Sequence, residues 1–175
     1  NGLLYEAENG VLFLDEVGEL TLPQQAKLLR VIQEKTYRPI GSHREFKVNP
    51  KIIAATNRPL AQEVKKGLLR DDLYYRLNVL SIYVPSLKER RQDISYITKS
   101  KLTTLNFGEL EIDTIERIAS QVTPIFNDYD WPGNIRELEN TVERLLVYCS
   151  VHKSISDAKI IQLLDDLAPE LFVGP

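Results

Sequence analysis

The sequence predicts an α/β protein, with a mostly parallel sheet flanked by helices in the first half and a small all-helical subdomain in the second. Three observations carry that expectation. Short apolar or β-branched runs alternate with helically spaced segments up to about residue 84, and strand–helix–strand order favours parallel pairing. Beyond that point only helical periodicity recurs. The charge changes at the same place, from 12 basic against 10 acidic residues up to Ser86 to 10 against 15 from Leu87 onward. Pro85 ends a β-branched run there and a charged helical pattern follows, so the expected subdomains are 1–86 and 87–175.

The elements follow in order. Val11-Leu12-Phe13-Leu14 is a continuous apolar run, the pattern of a strand buried on both faces. Leu22 to Glu34 repeats apolar residues at Leu22, Ala26, Leu29 and Ile32, which is helical spacing. Pro23 falls in the first turn, where its missing N–H does no harm. Residues 35–51 carry Lys35, Arg38, Arg44, Lys47 and Lys51 against one acid, Glu45. Pro39 and Gly41 make this a turn-rich insertion of hairpin type, either a solvated basic loop or a mobile loop that touches a partner. Ile52 to Thr56 is a second strand, Leu60 to Lys66 a short helix closed by Gly67, Asp71 to Leu77 another helix, and Val79 to Val84 a third strand. In the second half, Arg91–Asn106 and Glu111–Val122 are expected helices separated by Phe107-Gly108. Residues 130–134 form a turn around Trp131, which is read as a core anchor. A helix from Ile135 to about Tyr148 puts Ile135, Leu138, Val142, Leu145 and Leu146 on one stripe. The last helix, Asp157 to Leu167, is N-capped by Ser156 and stopped by Pro169.

Composition excludes several classes. With 43% hydrophobic and 27% charged residues, the chain is neither disordered nor fibrous as a whole. No apolar run approaches the ~20 residues of a membrane helix, and the first residues lack a basic signal-peptide region. The expectation is a cytoplasmic protein with no membrane partner. A single cysteine, Cys149, excludes an internal disulfide and any multi-cysteine metal site, and His43 and His152 are scant material for zinc. A net charge of −3 is too balanced to imply a nucleic-acid partner by itself.

Candidate chemistry lies at the strand ends, where parallel sheets bind ligands. Asp15 and Glu16 directly follow the first strand, and Thr56-Asn57 end the second. Two carboxylates and an amide at one edge suit a nucleoside triphosphate. One carboxylate holds Mg²⁺ through its waters, the other orients the attacking water, and the amide senses the γ-phosphate. The plainer reading is that the two acids cap the loop. Arg70 and Arg76 also stand out, because a guanidinium fork fits phosphate oxygens. The plainer reading there is a surface pair between Asp72 and Arg76, four residues apart.

Five segments occur in one order with short spacings: VLFLDEVGEL…QAKLLRVIQE, AATN, LRDDLYYRLNVL, PSLKERRQDI and YDWPGNIRELENTVERL. Together they closely resemble the central AAA+ ATPase domain of bacterial sigma-54-dependent transcription activators, over residues 2 to about 148. The resemblance implies a partial AAA+ sheet sandwiched by helices, followed by a helical lid. It implies ATP and Mg²⁺ as cofactors, Asp15 as the Walker B magnesium residue and Glu16 as the residue that prepares the water. Asn57, with Thr56 before it, would be the first sensor. Arg70 and Arg76 would be arginine fingers acting on a neighbour's ATP, and Arg136 the second sensor, against the plainer pairing of Arg136 with Glu139 or Asn140. The basic loop, here Arg38-Pro39-Ile40-Gly41-Ser42-His43, matches a pore loop that couples hydrolysis to the sigma factor. The implied partners are sigma-54 RNA polymerase, further copies of the chain in a ring taken as a hexamer, and enhancer DNA through a C-terminal domain absent here. The tail LLDDLAPELF after CSVHKSI is similar to activators of propionate catabolism operons.

Two motifs of that family do not occur in the 175 residues: the phosphate-cradling Gly-x-x-x-x-Gly-Lys-Ser/Thr loop and the first pore loop. Nor is there a methionine. The chain is therefore expected to be a piece of a longer activator, inactive by itself, and the piece is expected to expose unpaired strand edges that self-associate or rearrange. A contrasting reading is a non-catalytic regulatory or oligomerisation module with a degenerate ATPase fold. A third is direct DNA binding by the 35–51 loop, which would fall steeply with salt.

Overall fold

The computed structural model describes residues 2–39, 41, 44–105, 110–151 and 156–172. Expectations that fall on Ile40, Ser42 and His43 of the basic loop, on the Phe107-Gly108 break and on residues 152–155 lie outside the described residues. The chain divides into two compact units, Asn1–Ile82 and Tyr83–Pro175.

In the first unit, helix α1 (Leu3–Ala7) precedes strand β1 (Val11–Leu14), and a 3₁₀ turn at Val17–Glu19 leads into helix α2 (Leu22–Glu34). The Thr21 N–H donates to Gln24 Oε1 at 2.8 Å, closing the first turn of α2 where Pro23 has no N–H to satisfy. Lys35, at φ 55°, ends the helix in the left-handed conformation. The expected hairpin is present: β2 (Thr36–Tyr37) pairs antiparallel with β3 (Phe46–Lys47), and the Tyr37 and Phe46 rings lie 5.8 Å apart. Strand β4 (Lys51–Ala54) then pairs parallel with β1, Leu12 opposite Ile52 and Leu14 opposite Ala54. The Ala55 N–H to Leu14 carbonyl bond, 2.8 Å, carries the ladder one step further. Helices α3 (Leu60–Lys65) and α4 (Asp71–Leu77) complete the unit. They pack with α2 around Leu29, Leu69 and Leu73.

Three expectations are corrected here. Residues 79–84 do not form a strand: Val79 lies in a turn and Leu80 in a bend, the segment has no ladder partner among the described residues, and Val79, Leu80 and Ile82 are each more than 80% exposed. A β-branched run has strand propensity but becomes a strand only by pairing. Strand β1 is covered on one face only, since Leu12 is buried while Val11 and Phe13 are exposed. The alternation of a strand puts those two side chains on a face that no described element covers. On α2, Leu22 is exposed and Gln25, not an apolar residue, is fully buried on the inner stripe.

The second unit is helical. A 3₁₀ turn at Leu87–Arg90, closed by the Ser86 N–H to Glu89 bond of 2.8 Å, opens onto α5 (Asp93–Leu105). Then follow α6 (Ile112–Asp128), α7 (Asn134–Val151) and α8 (Asp157–Leu167), which Ser156 caps by accepting from the Lys159 N–H. Helices α5 and α8 each pack against both α6 and α7. Helix α6 runs six residues past the expected end at Val122, straight through Pro124. Val122 and Phe126, one turn apart, are both fully buried, so core packing holds the last turn despite the proline. Trp131 is buried as expected. Its indole N–H donates to the Phe126 carbonyl at 2.8 Å, and its ring meets Phe126 and Tyr129 edge to face. Asn134 Oδ1 accepts the Leu87 N–H at 2.8 Å, and Lys88 and Arg91 both pair with Asp130. The PSLKERR and DWPGN segments therefore clamp one another. Gly133 is required there because a Cβ would lie 2.8 Å from that of Glu137. Among the described residues no helix is long and apolar enough to cross a membrane.

Candidate functional site

Parallel pairing of β1 with β4 fixes the geometry of the candidate site. Both strands run the same way with Leu14 opposite Ala54, so Asp15-Glu16 and Thr56-Asn57 leave the sheet at one edge. The link between the two strand ends is direct: the Val17 N–H donates to the Ala55 carbonyl at 3.0 Å. Gly18 lies so close to Thr56 that a Cβ would stand 2.7 Å from its hydroxyl oxygen. A side chain at residue 18 would push the two strand ends apart. Thr56 Oγ1 accepts the Arg58 N–H at 3.1 Å, which fixes the turn that presents Asn57.

Asp15 Oδ1 accepts the Glu16 N–H at 2.9 Å, and both carboxylates face solvent. Glu16 is held at φ 51°, ψ 39°, a left-handed conformation that costs a non-glycine residue ~1–3 kcal/mol and concentrates at functional sites. Among the described residues no three His, Cys, Asp or Glu gather into a cage for a metal ion. An exposed pair of carboxylates is compatible with Mg²⁺, which binds through one or two carboxylates and keeps waters and phosphates as its other ligands.

The arginines differ in state. Arg70 stands just before α4 in extended conformation, φ −67° and ψ 133°. Its guanidinium grips Asp72 with two bonds, 3.0 and 2.7 Å. The expected Asp72–Arg76 pair is thus corrected, because Asp72 is taken by Arg70. That bond holds the Asp72 carboxyl below the usual range and raises Arg70. Arg76, inside α4, is exposed and has no ion pair among the described residues. In the second unit Arg136 is exposed on the first turn of α7, and neither Glu139 nor Asn140 bonds it; Glu139 faces Lys101.

Two residues not singled out in the sequence, Arg58 and Gln25, belong to this region. Arg58 bridges Glu19, at 2.6 Å, and the buried Glu63, at 3.5 Å. Gln25 bonds three backbone groups, Leu20 O, Leu68 O and Arg70 N. The available signal for Gln25 was its position three after Leu22 and four before Leu29, an amide at apolar spacing.

Residues 1–83 match the sigma-54 interaction domain, and residues 88–170 match the AAA+ ATPase lid domain. The chain is 46% identical over 164 residues to an uncharacterized protein in the HyuA 5' region of Pseudomonas sp. (strain NS671), covering 94% of this chain and 52% of that protein. It is 47% identical over 146 residues to the transcriptional regulatory protein ZraR of Escherichia coli (strain K12), covering 83% of this chain and 33% of ZraR. Among solved structures, NtrX from Brucella abortus in complex with ATP superposes with a TM-score of 0.74 at 32% identity, over 86% of this chain and 35% of NtrX. The chain spans about half or less of the length of these relatives.

Proposed function

The chain belongs to the sigma-54-dependent activator family, with a sigma-54 interaction domain joined to an AAA+ lid, and on that premise we propose that it is the hydrolytic and lid portion of an ATP-driven remodeller of sigma-54 RNA polymerase. The observation that carries the proposal is the shared edge of β1 and β4, which brings Asp15-Glu16 and Thr56-Asn57 together. Asp15 would hold Mg²⁺, which supplies charge neutralisation for the phosphates. Glu16 orients and deprotonates the attacking water, and Asn57, positioned by the Thr56 turn, contacts that water or the terminal phosphate. Arg70 and Arg76 act on the nucleotide of a neighbouring copy in a ring, where a guanidinium offsets charge that builds in the transition state. Arg136 reports the nucleotide state to the helical unit, and the basic hairpin tip meets the sigma factor. Nucleotide binding, contact with enhancer DNA and cytoplasmic placement are part of the same proposal, and the 175 residues hold no Gly-x-x-x-x-Gly-Lys-Ser/Thr loop.

The test is ATP turnover by the protein that carries this chain, with Glu16→Ala alongside. Loss of a general base predicts a fall of about 10²–10⁴ in kcat with nucleotide still bound. A protein that neither binds nor hydrolyses ATP would instead make this a non-catalytic assembly module.

A further inference from the structure

The structure assigns Gln25 as a positioning residue for Arg70, keyed to the turn that carries Asp15 and Glu16. The assignment rests on the role given to Arg70 above. Gln25 has no exposed surface, and its amide is fully used. Nε2 donates to the Leu20 carbonyl and to the Leu68 carbonyl, each at 2.8 Å, and Oε1 accepts the Arg70 N–H at 2.9 Å. An amide has two donors and an acceptor, and only one orientation of Gln25 satisfies two carbonyls and one N–H.

The three partners belong to two working parts. Leu20 ends the 3₁₀ turn that begins just after Glu16, and its N–H returns to the Val17 carbonyl. Leu68 and Arg70 flank Leu69 in the connection between α3 and α4. That connection leaves α3 through Gly67 at φ 72°, and Leu68 and Leu69 both donate to the Glu63 carbonyl. Arg70 is not helical, so its N–H has no carbonyl of its own helix to meet, and Gln25 is the acceptor that completes it. A Leu or Met at position 25 would fill the space but leave Leu20 O, Leu68 O and Arg70 N–H without these bonds. One buried side chain thus sets the backbone of a residue proposed to serve a neighbour's nucleotide, with the turn of the chain's own acids as its reference.

The experiment is a double-mutant cycle on ATP turnover in the protein that carries this chain, using Gln25→Met and Arg70→Ala. It is paired with amide hydrogen exchange over residues 68–71 in the 175-residue chain. A misplaced reactive group costs on the order of 10²-fold. Gln25→Met should therefore lower kcat about that much, leave ATP affinity unchanged, deprotect the Arg70 amide, and add no further loss in the Arg70→Ala background. If Gln25→Met does not fold, Gln25→Asn, one methylene too short to span Leu20 O, Leu68 O and the Arg70 N–H together, is put through the same cycle under the same criterion. An equal loss in both backgrounds makes Gln25 a core amide alone and overturns the inference, as does unchanged exchange at Arg70. If Arg70→Ala itself leaves turnover unchanged, the Arg70 role fails and the positioning role falls with it. Deprotection of the Arg70 amide in Gln25→Met would then show that the contact was real and that the role of the arginine was the error.

Discussion

Glu16 carries two demands that conflict. Its carboxylate is proposed to prepare water, while its backbone sits at φ 51°, where a Cβ is penalised. Glycine removes that penalty, so Glu16→Gly should raise the stability of the chain by about 1 kcal/mol while ending turnover in the carrying protein. A urea midpoint that is unchanged or lower would mean that the turn relaxes without strain. Arg70 and Asp72 give a second test. Bonding to Arg70 holds the Asp72 carboxyl below its ordinary value of 3.8. The stability it contributes is thus present above 3.8 and lost as pH falls through the lower, folded value. In Arg70→Ala the Asp72 carboxyl should titrate closer to 3.8, as NMR of its side-chain carbon would report. The candidate acids were legible in the sequence because they follow an apolar strand directly. The Arg70–Asp72 pair was not, because an i,i+4 rule applies inside a helix and Arg70 stands one residue outside it.

At the scale of elements, the lid turn shows why long-range clamps escape local rules. The Asp130–Asn134 segment was readable as a turn from Pro132 and Gly133, and Trp131 as an anchor. Its partners, Leu87, Lys88 and Arg91, lie some forty residues away. Removing the indole N–H together with part of the ring tests one part of the clamp. Trp131→Phe should destabilise the helical unit by about 1–3 kcal/mol, combining an unsatisfied Phe126 carbonyl with lost volume. A loss below half of that, measured by thermal unfolding, would show that the ion pairs to Asp130 hold the turn without it. Helices α2 and α8 were legible to the residue, because capping and apolar period agree there, and α4 was legible as well, although its N-cap, Arg70, makes no side-chain cap bond. The end of α6 was not, since burial of Phe126 outweighs the local effect of Pro124. The 79–84 strand was misjudged for the converse reason, as propensity alone supplies no partner.

The two units of the whole molecule are unequally built. Among the described residues the helical unit buries a continuous cluster from Leu87 to Leu171, whereas the first unit's cluster is Leu29, Leu69 and Leu73. Burial raises the Cys149 thiol from 9.0 to about 11. A raised folded value means stability that is full below 9 and lost as pH climbs toward 11, so the helical unit should weaken over that window and Cys149→Ala should flatten the loss. The first unit has the opposite character. Val11, Phe13 and Ile53 of the sheet, and Val79, Leu80 and Ile82 after α4, are all exposed. Both outer edges of the β1–β4 pair lack a ladder partner among the described residues. Contiguous apolar surface of more than a few hundred Å² is rarely left in water, and an unpaired edge is a template for another strand. The 175-residue chain should therefore self-associate as its concentration rises, with the weight-average mass from sedimentation equilibrium exceeding 20.1 kDa. Phe13→Lys, Ile53→Lys and Val79→Lys together should return it to that mass, because each places a charge on the surface that would have to be dehydrated. Association that survives all three substitutions would place the contact away from Phe13, Ile53 and Val79, and a chain that stays monomeric throughout would mean that the exposed edge is no template for another strand.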